Sequence, residues 1–188
     1  MIDEQTAQEW LTGLSAFDRD NETILYCILA AFGRPSSMLD VGSGTGAMVN
    51  MAEKIGVEKV AGLDQLPRPA HPKLLQVDLR EPILLSNRPF ELVTSIETAE
   101  HIEPEYADNL VTTITENAGR RIVFTAAMPG QMGHGHVNCQ PMEYWRTKFY
   151  DRGWNYYPPD TYRLALLLSN AHHASHHVEA NLSVFVPR

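Results

Sequence analysis

The segment Glu97-Thr98-Ala99-Glu100-His101 places two carboxylates and an imidazole at positions i, i+3 and i+4, which share one face of a helical turn. Hard oxygen ligands with one imidazole suit Mg, Mn, Fe or Zn. Without a metal the same groups can move a proton, because imidazole titrates near neutrality. Further along, Gly133-His134-Gly135-His136 offers two more imidazoles among glycines that let the backbone fold over the first group.

A second set of polar residues sits where apolar runs end. Leu39-Asp40-Val41-Gly42-Ser43-Gly44-Thr45-Gly46 reads as a strand that enters a glycine-rich turn and opens a helix. Glycine there leaves backbone N–H groups at the helix N-terminus open to a ligand. The spacing is G-x-G-x-G with an acid before it, not the G-x-G-x-x-G of dinucleotide binders. Asp40 can serve an ammonium group directly or through water, so the pattern favours an aminoacyl-bearing nucleoside over a nicotinamide dinucleotide. The expected binding residues are Asp40, Gly42, Ser43, Gly44 and Gly46. Asp64 follows Gly42 by 22 residues, where a carboxylate can accept from ribose hydroxyls. Asp78 and Leu79 suit the exocyclic amine and the face of an adenine ring. Glu97, at the end of a further apolar run, is counted in both sets.

The elements that must position these residues follow from the pattern. Met38–Val41, Lys59–Asp64, Leu74–Asp78, Glu91–Ile96 and Arg121–Thr125 are short apolar runs separated by helix-like segments near 45–55 and 103–117. This alternation predicts buried parallel strands with helices on both faces. Residues 1–34 read as two helical pieces that cap the core, with Trp10, Leu11 and Leu14 in the first and Ile24, Leu25, Ile28, Leu29 and Phe32 in the second. Pro67, Pro69 and Pro72 argue against a regular helix after Asp64. Helices near 141–152 and after Pro159, and a last strand over 181–186, close a single α/β domain. It divides into a cap (1–34), a binding core (36–127) and a substrate-side portion (128–188). Trp145, Phe149 and Trp154 read as helix packing against the sheet, Cys139 as structural, and His172-His173-Ala174-Ser175-His176-His177 as a solvated helix end.

The run MLDVGSGTG, with Asp64, Val77-Asp78-Leu79 and ELVTSIE, resembles a class I S-adenosylmethionine-dependent methyltransferase over about residues 36–154. The resemblance implies a Rossmann-like three-layer sandwich, whose mostly parallel seven-stranded sheet ends in a reversed last strand. It also implies S-adenosyl-L-methionine as cofactor. The E-x-x-E-H pattern is similar to a metal-dependent branch of that superfamily, which includes ubiquinone-pathway O-methyltransferases and enzymes that methylate ribose 2′-oxygens at small-RNA ends. This likeness implies Glu97, Glu100, His101 and a later histidine, with His136 favoured over His134, as ligands of a divalent ion. His101, His136 and Glu100 are then the catalytic candidates. The stretch from His136 to Trp145 also resembles the segment after the fifth strand of small-molecule methyltransferases.

Composition narrows the partners. With 15 basic and 23 acidic residues among 188, the chain carries a formal charge of −8, which disfavours a broad duplex-binding surface and, with its small size, an RNA substrate. Two cysteines, Cys27 and Cys139, make no disulfide framework. An acidic start and no apolar run of about 20 residues argue against a signal peptide or membrane span, so a cytoplasmic setting is expected. The expected activity is methyl transfer to oxygen of a small-molecule or sugar-like acceptor. The alternatives are a non-catalytic partner subunit of the same fold and an RNA-end ribose 2′-O-methyltransferase.

Overall fold

The apolar runs are strands of one sheet, and their alternate residues feed two separate cores. The computed structural model describes residues 17–66, 72–171 and 176–188. Its strands are β1 (Ser37–Val41), β2 (Lys59–Asp64), β3 (Leu74–Gln76), β4 (Phe90–Ser95), β5 (Ala118–Phe124), β6 (Trp154–Tyr156) and β7 (Ser183–Pro187). They lie in the order β3-β2-β1-β4-β5-β7-β6. Pairing is parallel from β3 to β5, while β7 runs antiparallel to both β5 and β6. The reversed strand is thus present, and the sheet is the mostly parallel, Rossmann-like one that the sequence resemblance implies.

Among the described residues, six α-helices accompany it: α1 (Asp18–Phe32), α2 (Ala47–Lys54), α3 (Ala107–Asn117), α4 (Met142–Asp151), α5 (Pro158–Ser169) and α6 (His176–Ala180). Side chains alternate across a strand, so a doubly covered strand must be apolar at every position. Leu39 and Val41 of β1 join Leu110, Trp145 and Phe149 from α3 and α4 on one face. Met38 joins Ile24, Leu25, Met48 and Leu164 from α1, α2 and α5 on the other. The same split places Val93, Ile122 and Phe185 with the first core, and Leu92, Val123 and Val184 with the second.

Several boundaries move. β3 stops at Gln76, which leaves Val77 and Asp78 in the turn beyond it. The helix expected from residue 103 is preceded by 3-10 turns at Ala99–His101 and Pro104–Tyr106 and begins at Ala107. Trp154 lies in β6, a three-residue strand that pairs with β7, and not in a helix. A strand that short carries too little alternation to announce itself. The first helical piece of the expected cap, with Trp10, Leu11 and Leu14, and residues 67–71 of the proline-rich segment lie outside the described residues. Among the described residues, no helix is long and apolar enough to cross a membrane.

Phe149 anchors the first core. It is fully buried, stacks on Phe185 with centroids 4.1 Å apart, and meets Phe124 edge-on at 5.2 Å. Phe149→Ala should therefore destabilise the fold by about 3–5 kcal/mol, read as a shifted midpoint in urea denaturation with an unchanged slope.

Candidate active site

Strand order reverses direction between β1 and β4, and open α/β sheets form a ligand crevice beyond the strand ends at that point. The turn after β1 is stitched to the neighbouring strand: Gly42 and Ser43 donate their N–H groups to the Leu63 carbonyl at 2.8 and 3.0 Å. Gly42 has φ +82°, and a Cβ built there would lie 2.1 Å from Thr98 Oγ1. Only glycine lets the turn after β1 pass this close to the turn after β4. Thr98 Oγ1 in turn lies within hydrogen-bond reach of the Val41 and Ile96 carbonyls, so it ties the two strand ends together. Asp40 is buried and accepts from Thr94 Oγ1 at 2.7 Å.

A cavity of about 930 Å³ opens at this junction. Asp40, Gly42, Ser43 and Gly44 line one side, and Ile96, Glu97, Glu100 and His101 another. The segment after β5 contributes Met132, Gly133, His134 and His136, α6 contributes His177 and Val178, and the α1 region contributes Phe17, Asp20, Asn21 and Ile24. The start of α1 is held over the glycine turn by Thr45 Oγ1, which donates to Asp18 Oδ1 at 2.5 Å.

Glu100, His101 and His136 converge, with one ligand atom from each within 4.8 Å of the others. His136 Nε2 stands 4.0 Å from Glu100 Oε1, and the two imidazoles meet edge-on at 5.0 Å. His136 Nδ1 lies 2.9 Å from the Gln131 carbonyl, and His101 Nδ1 lies 3.1 Å from the Gly135 carbonyl. A carbonyl can only accept, so each Nδ1 carries a proton. Outer partners of this kind orient metal-bound or proton-accepting histidines. The loop that brings His136 is itself anchored on Glu100, whose backbone carbonyl accepts from Val137 and Asn138 at 2.8 and 3.0 Å.

Glu100 is fully buried, and neither side-chain oxygen has a hydrogen-bond partner among the described residues. The backbone N–H groups of Glu100 and Ala127 and the Glu97 carboxyl lie close enough to act on its titration. Burial first, and the Glu97 charge second, push its carboxyl up to about 8. Burial likewise pulls His101 below its ordinary range. An unpartnered buried carboxylate is costly unless it is protonated or neutralised by a cation. This donor set therefore fits a divalent ion or a proton.

Glu97 borders this cluster and is not among the three residues whose ligand atoms lie within 4.8 Å of one another. Its backbone sits at φ +48°, its N–H donates to Thr125 Oγ1, and its carboxylate accepts from Asn181 Nδ2 at 3.2 Å. Asn181 also donates to Gln131 Oε1 at 3.0 Å, and the Gln131 amide lies 3.3 Å from His177 Nδ1. Gln131 thus joins His136, Glu97 and α6 in one network, although neither Gln131 nor Asn181 carries a motif that the sequence could have disclosed. Asp20 and Asn21 reach the cavity only because α1 folds back over the sheet. His177, at the expected solvated helix end, faces the cavity, whereas residues 172–175 lie outside the described residues.

The adenosine-side residues are arranged differently from the cavity residues. Asp64 accepts the Gly44 N–H at 2.8 Å and the Leu66 N–H at 2.9 Å, so it holds the glycine turn in place. Asp78 is exposed and pairs with Arg80, whose hydrogen bonds hold its carboxyl below the usual range. Leu79 is buried in the first core. Among the described residues, Asp64, Asp78 and Leu79 are not part of the cavity wall. Cys139 Sγ lies 3.6 Å from the Gln131 carbonyl and from His136 Nδ1. Burial, with the Glu100 and Glu97 charges, keeps it a thiol.

The family model described as a methyltransferase domain matches residues 15–171. The chain belongs to that methyltransferase family. This methyltransferase also resembles solved structures at low identity. DesVI of Streptomyces venezuelae is 15% identical, with a TM-score of 0.66 and full coverage of both chains. CalS10 of Micromonospora echinaspora, an amino pentose methyltransferase solved with S-adenosylmethionine, is 16% identical, with a TM-score of 0.65 over 100% of this chain and 98% of its own. KedS8 of Streptoalloteichus, a sugar N-methyltransferase, is 14% identical, with a TM-score of 0.63 over 90% and 87% of the two chains. No curated protein sequence matches this methyltransferase significantly.

The raised Glu100 pKa has a definite stability consequence. Between about pH 4.5 and 8 the folded protein keeps a proton that the unfolded chain releases, so unfolding becomes easier as pH rises through that window. Glu100→Gln removes this effect. In urea titrations with chelator, the variant's stability relative to the parent should climb across the window; a flat difference would mean that the folded carboxyl is already ionised.

Proposed function

We propose that this enzyme transfers the methyl group of S-adenosylmethionine to a hydroxyl of a small, sugar-like acceptor. Glu100, His101 and His136 serve that hydroxyl, either through a divalent ion or as proton acceptors. The observation that carries the reading is the buried Glu100 carboxyl gathered with the imidazoles of His101 and His136, in the cavity that the glycine turn also lines. The amino pentose and sugar N-methyltransferases among the similar structures support a sugar-like acceptor.

On this reading, S-adenosylmethionine supplies an electrophilic methyl group on its sulfonium, open to in-line attack. The bare backbone of Gly42, Ser43 and Gly44 seats its aminoacyl end, and Asp40 serves its ammonium group. Asp64 acts through Gly44, whose N–H it accepts, and so keeps the turn in the shape that seats the cofactor. Holding the acceptor oxygen about 3–3.5 Å from the methyl group provides most of the acceleration. The hydroxyl proton would pass to an imidazole of His101 or His136 as the oxygen–carbon bond forms and the carbon–sulfur bond breaks. A divalent ion on Glu100, His101 and His136 would lower the hydroxyl pKa and fix its orientation. Glu97, held by Asn181, adds negative charge beside the positively charged cofactor.

Transfer of labelled methyl to diols, sugars, phenols and short RNAs, with and without chelator, tests this reading. Sugar or diol oxygen should be labelled. Loss on chelation with recovery in Mg or Mn would identify the ion, and insensitivity to chelator would leave histidine as base. Labelling of RNA alone, or of no acceptor despite bound cofactor, would overturn the acceptor assignment. His136→Ala should lower the rate by about 100-fold or more while S-adenosylhomocysteine affinity stays within about threefold. Asp40→Ala should instead weaken S-adenosylhomocysteine binding about 10-fold or more in calorimetry, the loss expected for one hydrogen bond to a charged group.

A further inference from the structure

The cavity has a one-sided charge. Its wall carries the carboxylates of Asp20, Asp40, Glu97 and Glu100, and among the described residues no lysine or arginine lines it. Basic side chains are engaged elsewhere. Arg121 pairs with Asp160, Lys148 and Arg152 with Asp108, and Lys59 with the Asn87 and Pro89 carbonyls. Glu100 adds the second observation: it is fully buried, borders the cavity, and has no hydrogen-bond partner on either oxygen among the described residues.

The imbalance persists after the cofactor is counted. S-adenosylmethionine brings one net positive charge, from a sulfonium and an ammonium set against a carboxylate. If Glu100 is ionised with a divalent ion beside it, the site remains negative by about one charge. If Glu100 is neutral and no ion is present, it remains negative by about two. A phosphate or carboxylate on the acceptor would meet net like charge with no lysine or arginine of the wall to pair with, an arrangement that weakens binding and is a common means of rejecting wrong ligands.

We infer that the acceptor is a cationic, amine-bearing polyol, whose ammonium group is recognised by Asp20 on the α1 wall of the cavity. Asp20 suits this role by position. It lies in the first turn of α1, beside the half-exposed Phe17, on a segment that the Asp18–Thr45 hydrogen bond fixes over the glycine turn. Asp40 and the glycine turn face the cofactor, so Asp20 is the carboxylate left for the acceptor on the α1 side. The neighbouring Asn21 can accept from or donate to a hydroxyl. The inference rests on the preceding reading that cofactor and acceptor share this cavity.

Calorimetry on the protein saturated with S-adenosylhomocysteine, with chelator present, tests it using probes that differ in charge on one ring: glucosamine, glucose, glucose 6-phosphate and glucuronate. Glucosamine should bind about 10-fold more tightly than glucose, and the two anions more weakly than glucose. Asp20→Asn should narrow the glucosamine-to-glucose ratio about threefold or more, and Asp20→Glu should restore it. Equal or tighter binding of glucose or an anion, or no binding of glucosamine, would overturn the inference and leave the methyltransferase reading standing. Failure of S-adenosylhomocysteine itself to bind would overturn both.

Discussion

The contact between Gly42 and Thr98 is the constraint on which the site depends. The turn after β1 must present bare backbone, the turn after β4 must supply carboxylates and an imidazole, and both must face one cavity. They can do so only if the two turns nearly touch, and any side chain at position 42 would overlap Thr98. Thr98 and Thr94 then hold the geometry from the β4 side, through the Val41 carbonyl and the Asp40 carboxylate. The doubly buried sheet below makes this junction stiff, because both strand ends emerge from packed cores on either face.

Above that rigid floor the molecule accepts local cost. Glu97 occupies left-handed backbone, which side chains other than those of asparagine, aspartate and histidine rarely adopt, and Glu100 is buried without a hydrogen-bond donor. Both belong to one short segment at the end of β4, and both face the cavity. Strain and unpaired polarity gathered in this way are typical of functional sites, where the surrounding packing holds an arrangement that would not persist alone.

Features that depend on neighbours in sequence were legible there. The strand runs, the glycine turn and the E-x-x-E-H spacing are local patterns, and the sheet confirms the first by sending alternate residues to opposite cores. Contacts between distant segments were not legible. Asn181 reaches Glu97 across 84 positions and holds its carboxylate beside the cluster of Glu100, His101 and His136. Gln131 contacts His177 across 46 positions. Asp20 enters the cavity through the packing of α1 on the sheet, which no spacing rule encodes. The short β6 and the early end of β3 escaped because three residues cannot show a period.

The loop between β5 and α4 separates naturally into fixed and variable positions. Gln131 and His136 are bound into the network, and a Cβ at Gly133 would lie 2.2 Å from His136 Nε2. Met132 is 96% exposed and His134 is exposed, yet both border the cavity. Substitutions confined to position 132 would therefore vary the cavity wall while sparing the histidine scaffold. Recombining the whole loop with that of another protein would discard scaffold and wall together.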